Sequence, residues 1–199
     1  LERMLLRALR RDHPQGIVGH WVEQDPAHPP GVLSWERSSR FRDLPVSSIS
    51  LFFARELLQQ VGGFDGRLGV GQWFGAGEET DIVLRALRSG ALIAYEPEVR
   101  VHHRADPPAR AMSAAMRRAV QLRARGAGAL YAKHRLPAWV ILRGLLSPLL
   151  RPVMNPLALL RGASSHGLLQ GLAIARGRLQ GWRRWMQAHR ARDERQAGH

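Results

Sequence analysis

In the stretch Phe74 to Gly90, "FGAGEETDIVLRALRSG", three carboxylates, Glu78, Glu79 and Asp81, fall within four residues directly behind a glycine-rich loop. Acids so placed have two uses. In the first turn of a helix they meet unpaired N–H groups and the positive end of the macrodipole. One of them, held at the mouth of a loop, can also take a proton from an attacking hydroxyl. Taken alone, the three read as helix capping. Asp81 stands four residues before Arg85, the spacing of an ion pair on one helix face, so structural work is expected of it.

The segments on either side must position these acids. "GGFDGRLGVGQWFGAG" holds seven glycines in sixteen residues, a loop that must bend sharply or approach something closely. Before it, "PVSSISLFF" reads as a buried strand and "ARELLQQV" as a short helix stopped by Gly62 and Gly63. After it, Ile82, Leu84, Ala86 and Leu87 give the acid-bearing helix its apolar residues, and Gly90 closes it. "ALIAYEP" and "EVRVHH" follow as two short β segments, the second with Val99, Val101 and His103 on one face. Upstream, residues 1–11 predict an amphipathic helix, "GIVGHWV" a strand, and the chain from there to Arg42 a long loop. This order implies an α/β class with part of a sheet in the first half.

Charge divides the chain. Residues 1–105 carry 13 Arg against 13 Asp or Glu; residues 106–199 carry 17 Lys or Arg against 3 acids, the whole of the net +14. Two regions with different partners are expected, an α/β one over 1–105 and a basic, mostly α-helical one over 106–199. The chain has no cysteine, which excludes a disulfide framework and a Cys-based zinc site. "PPARAMSAAMRRAVQLRARGAGALYAKHRL" is helical after its proline pair, with interruptions at Gly126 and Gly128. "LPAWVILRGLLSPLLRPVMNPLALL" is strongly apolar, but Arg143 and Arg151 interrupt it and Pro148, Pro152 and Pro156 break it, so it fails as a membrane span. It predicts short amphipathic helices lying on an anionic membrane surface, a theme that Trp182 and Trp185 among arginines repeat. From Ala191 on, fraying is expected.

Residues 47–103 resemble the acceptor-side half of a family 2 glycosyltransferase. The resemblance rests on "SSISLFFARELLQQVGGFDGRLG", "GAGEETDIVLRALRSG" and "ALIAYEPEVRVHH", in that order and spacing. It extends more loosely from residue 1 to about 135. It implies part of a GT-A, Rossmann-like fold and an inverting sugar transfer from a nucleotide-sugar donor to a glycan or lipid-linked hydroxyl acceptor of the cell envelope. In that family the second acid of the Glu-Asp pair is the base, which here is Glu79, one methylene longer than the usual aspartate. Glu78 and Asp81 would orient loop and helix, with Arg85, Gly62 and Gly63 in support. The resemblance also implies a divalent metal, Mg or Mn, with His103 as a ligand and His102 as the weaker choice. Trp73 and Phe74 would offer an aromatic platform to the acceptor sugar, with Gly77 and Asp65 beside them.

The donor-binding unit of that family ends in Asp-x-Asp, and no such motif occurs in this chain. The expectation is therefore a fragment that begins just past that motif and is inactive alone. A cytoplasmic site peripheral to the inner face of the cell membrane follows from the basic half. The rival is a non-catalytic module that binds a membrane surface or a polyanion; nucleic acid is not expected, since the arginines are interleaved with leucines and prolines rather than grouped on one recognition helix.

Overall fold

The computed structural model describes residues 14–21, 30–41, 46–102, 113–150, 154 and 164–197. The expected helix over 1–11 and the candidate ligand His103 lie outside them. The chain is mixed α/β and forms two compact units. One spans residues 1–65 and 79–108 and carries the sheet; the other spans 66–78 and 109–199 and is helical.

The sheet unit has four strands, β1 (Gly16–Trp21), β2 (Gly31–Val32), β3 (Leu51–Phe53) and β4 (Ile93–Val101), in the order β2-β4-β1-β3. β1 runs parallel to β4 and antiparallel to β3, while β2 is antiparallel to β4. Three helices belong to the same stretch of chain: α1 (Trp35–Ser38), α2 (Arg55–Val61) and α3 (Glu78–Arg88). Period-2 alternation along β1 sends Val18 to one core and Ile17 to another. Val18 packs with Leu57, Val83, Ala86, Leu87, Ile93 and Tyr95, whereas Ile17 packs with Val99 and Phe52.

Several expectations are corrected here. The predicted pair of β segments is one strand, β4, whose register against β1 jumps between Gly19–Glu96 and His20–Arg100. Pro97 has no N–H for the ladder, so the strand bulges at that point rather than breaking. A Cβ on Gly19 would stand 2.4 Å from the carbonyl oxygen of Val99, so the bulge needs glycine opposite it. The expected long loop to Arg42 contains β2 and α1, the latter capped by Ser34, whose hydroxyl accepts from the Arg37 N–H at 3.4 Å. The expected strand over "PVSSISLFF" is only three residues long. A single 3₁₀ turn, Ser48–Ser50, precedes it, with the Ser50 hydroxyl donating to Ser47 O at 3.4 Å; serine competes for backbone partners and favours such turns.

The helical unit contains α4 (Ala114–Lys133), α5 (Ala138–Leu150) and α6 (Ser164–Ala197). Ser113 caps α4, accepting from Met116 N at 3.1 Å. Gly126 and Gly128 do not interrupt α4, and α6 continues to Ala197 where fraying was expected. The two glycines are contact points. Built Cβ atoms on Gly128 and Gly181 would stand 1.9 Å from the Arg178 and Arg125 carbonyl oxygens, and one on Gly177 2.3 Å from Gln121 O. α4 and α6 therefore touch backbone to backbone, running in the same direction, since Gln121 meets Gly177 and Arg125 meets Gly181. α5 returns against α6, with Pro148 O at Gly171 and Gly144 O accepting from the Arg178 guanidinium. Tyr131 fills the space over Gly144; burial pushes its phenol above the usual range, and the nearby Arg178 and Arg143 charges oppose that shift.

A methyl group at Gly181 has no room, because its nearest neighbours are backbone. Gly181→Ala is expected to destabilise the helical unit by about 1–3 kcal/mol, although alanine gains roughly 1 kcal/mol over glycine in an open helix. Urea unfolding followed by circular dichroism measures this; Gly31→Ala, where an added Cβ meets nothing within 4 Å, should stay near the parent midpoint.

Candidate functional site

The acid-bearing helix α3 is built as its sequence predicts, with Ile82, Val83, Leu84, Ala86 and Leu87 buried. Asp81 is also buried, at 0% exposure, and its carboxylate oxygen accepts from Arg85 Nε at 2.9 Å. A carboxylate so deep needs a cation, and the spacing of four residues delivers one. The Arg85 fork reaches further. Its other nitrogens donate to the carbonyl oxygens of Val61 and of Gly63, the latter at 2.5 Å.

Those carbonyls end α2. Gly62 takes the left-handed conformation at φ 79° and Gly63 follows at 67°, while Gly63 N donates to Leu58 O at 2.9 Å. The turn leaves helix-terminal carbonyls pointing outward, and a guanidinium is the favourable partner for them. Arg85, Asp81, Gly62 and Gly63 thus form one clamp that fixes α3 to the end of α2. Glu79, two residues before Asp81 in the first turn of α3, is half-buried.

Trp73, Phe74, Gly77 and Glu78 fall into the helical unit. Its loop, residues 66–78, uses its glycines to lie against α4. Gly75 meets Leu122, Ala76 meets Gly126, and Gly77 meets Leu130, positions that step one helical turn at a time. Positive φ values of 73° at Gly75 and 106° at Gly77 show why side chains are excluded there. The close approach that seven glycines announced is to a helix. Gly77, expected beside the acceptor, is buried on Leu130. Glu78 packs under Gly69, whose built Cβ would stand 3.0 Å from the Glu78 carboxyl carbon, and its Oε2 is buried without a hydrogen-bond partner.

The expected aromatic platform is occupied by protein. Phe74 is buried, edge-on to Trp73 at 5.1 Å between centroids and tilted against Trp185 at 5.4 Å. Trp73 carries two guanidinium groups over its ring, Arg125 at 4.3 Å and Arg184 at 4.2 Å. A cation bound at a ring face takes the surface a sugar would use. Trp185, expected at a membrane surface, is buried as well. The contacts with Arg125, Arg184 and Trp185 were not legible because those partners lie more than 50 residues away in sequence.

Asp65 is half-buried, and His102 is exposed just after β4. Among the described residues no group of three or more His, Asp or Glu side chains is placed to hold a metal ion. Compared with known proteins, the chain matches no protein-family model, no curated protein and no solved structure.

The clamp makes an asymmetric prediction. Arg85→Met leaves the Asp81 carboxylate at 0% exposure without the guanidinium and should cost about 3–5 kcal/mol. Asp81→Asn leaves a guanidinium that is 22% exposed and still donates to two carbonyls, so about 1–3 kcal/mol is expected. Equal losses in chemical denaturation would show that the buried carboxylate is not the vulnerable partner.

Proposed function

We propose that the chain is the acceptor-side portion of an inverting sugar transferase of the family 2 type, acting on a glycan or lipid-linked acceptor at an anionic membrane surface. The observation that carries this reading is the clamp, which sets the acid-bearing helix α3 against the end of α2. Asp81 is committed to Arg85, and Glu78 is packed beneath the loop at Gly69. Glu79, half-buried, stands on the first turn of this same helix, which the clamp fixes to the end of α2, and a general base needs such a fixed carrier. Its carboxylate takes the acceptor hydroxyl proton while that oxygen attacks the anomeric carbon. The nucleoside diphosphate leaves with the electron pair of the broken bond. A mixed four-stranded sheet in which α3 leads into β4 accords with part of a GT-A fold.

The membrane side of the reading rests on α5. Val140 and Gly144 are its buried positions, while Trp139, Leu142, Leu146 and Leu150 form a stripe on it, each about half exposed. Leu168, Leu169 and Leu172 on α6 are exposed in the same unit, and Arg143 stands 5.5 Å from the Trp139 ring. No helix among the described residues is long and apolar enough to cross a membrane. An apolar stripe beside arginines suits a helix lying at headgroup depth, on the inner face of the cell membrane. The same stripe favours, as the second reading, a module that holds the surface without catalysis.

Transfer of labelled sugar to membrane acceptors separates the two. The chain alone is expected to be inactive. In the product of its complete reading frame, Glu79→Gln should lower kcat by about 10²–10⁴-fold with little change in KM; undiminished transfer by that variant would remove the base assignment. Flotation with anionic vesicles should capture the chain more strongly than duplex DNA retains it at matched salt. Replacing Leu142 and Leu146 by Glu should abolish capture by vesicles, and unaltered flotation would discard the α5 surface.

A further inference from the structure

The basic charge of the helical unit converges at one place that the proposed function does not use. A cavity of about 200 Å³ is lined by Arg67, Lys133, Arg135, Trp185 and His189, with Ala132 and Ala188 completing it. Three elements build it. Arg67 comes from the glycine-rich loop, Lys133 and Arg135 from the end of α4, and Trp185, Ala188 and His189 from one face of α6, at the spacing of a single helical turn. Trp185 forms the floor. The Arg67 guanidinium stands 4.1 Å from its ring centroid and the Lys133 ammonium 5.5 Å, so both cations are held over an apolar plate. Among the described residues that line the cavity none is acidic.

Arg135 adds a second, independent sign. It lies just past α4 with φ at 50°, the left-handed region, where its N–H donates to Ala132 O at 3.1 Å and the Leu136 N–H to Tyr131 O at 3.0 Å. This is the helix-ending position that glycine ordinarily fills, and a residue with a Cβ there costs about 1 kcal/mol. The turn needs no side chain at this residue. What the side chain does is bring a third permanent cation to the cavity.

We infer that this cavity binds a phosphoryl group, a phosphomonoester or diphosphate. Planar guanidinium forks and an ammonium match phosphate oxygens, and charge-assisted bonds of this kind are the strong ones. The size selects the group: drug-sized or nucleotide ligands occupy roughly 300–1,000 Å³, so the cavity admits the phosphoryl end of a molecule and leaves the rest outside. A soluble phosphorylated compound and a phosphorylated lipid headgroup share this chemistry. The inference stands independently of sugar transfer.

The test is calorimetric titration of the full chain with inorganic pyrophosphate at fixed ionic strength, beside flotation with phosphatidylcholine vesicles with and without phosphatidic acid. Arg135→Gly suits the backbone and removes only the side chain; Lys133→Met keeps the stem on Trp185 and removes the charge. Each should weaken binding about tenfold or more, while Arg118→Ala, an exposed arginine away from the cavity, should leave it unchanged. Saturable pyrophosphate binding lost in the two variants supports the site with a soluble ligand as its source. Capture only by phosphatidic acid vesicles, again lost in both, supports it with a lipid source. If Arg135→Gly raises stability and neither probe distinguishes the variants from the parent or from Arg118→Ala, the site is overturned.

Discussion

The helical unit depends on α4 having no side chain where two other segments must touch its backbone. Gly126 receives the loop at Ala76, and Gly128 receives α6 at Arg178. Both contacts are closer than any Cβ permits, so the loop and α6 are each fixed by a missing methyl rather than by a specific bond. Everything notable in that unit follows from the fixed approach. Arg125 and Arg184 meet over Trp73 because α4 and α6 run side by side, and Gln180 accepts from both Gln121 and Arg125 for the same reason. Cations stacked on aromatic rings carry their charge without needing acids, which is how a region so rich in arginine packs closely.

In the sheet unit the organising group is a single guanidinium. Arg85 balances one buried carboxylate and terminates one helix, two tasks that usually fall to separate residues. Because it holds α3 to the end of α2, the acid two residues upstream of Asp81 sits on a fixed element rather than on a loop. The apolar residues of α3 and β4 make the core behind it, including Tyr95, whose phenol is pushed up by burial and lies 3.5 Å from His20 Nδ1.

Features that depend on near neighbours were legible. The Asp81–Arg85 spacing, the Gly62 stop, the apolar pattern of α3 and the first strand could all be read directly, because each depends on residues a few positions apart. Position in three dimensions was not legible. The glycines of the loop announced a close approach but not to what, since Leu122, Gly126 and Leu130 are reached only through the fold. Trp73, Phe74 and Trp185 looked like surface aromatics because nothing nearby in sequence reveals which rings are covered. Gly126 and Gly128 read as helix breakers on propensity, and tertiary packing overrode that preference. The proline in β4 read as a boundary, whereas the sheet absorbed it as a bulge.

The pairing of β1 with β4 also sets a schedule. Gln15 at the start of β1 and Leu92 before β4 are hydrogen-bonded across 77 residues of chain. Between them the polypeptide leaves the sheet unit for residues 66–78 and then returns. At the ribosome's pace of about 5–20 residues per second, the first strand waits roughly 4–15 s for its parallel neighbour to be synthesised. Among the described residues β3 is the one other strand that pairs with β1, so until β4 is made Ile17 and Val18 remain uncovered by it. The core on either side of β1 therefore closes late in synthesis, once β4 has left the ribosome.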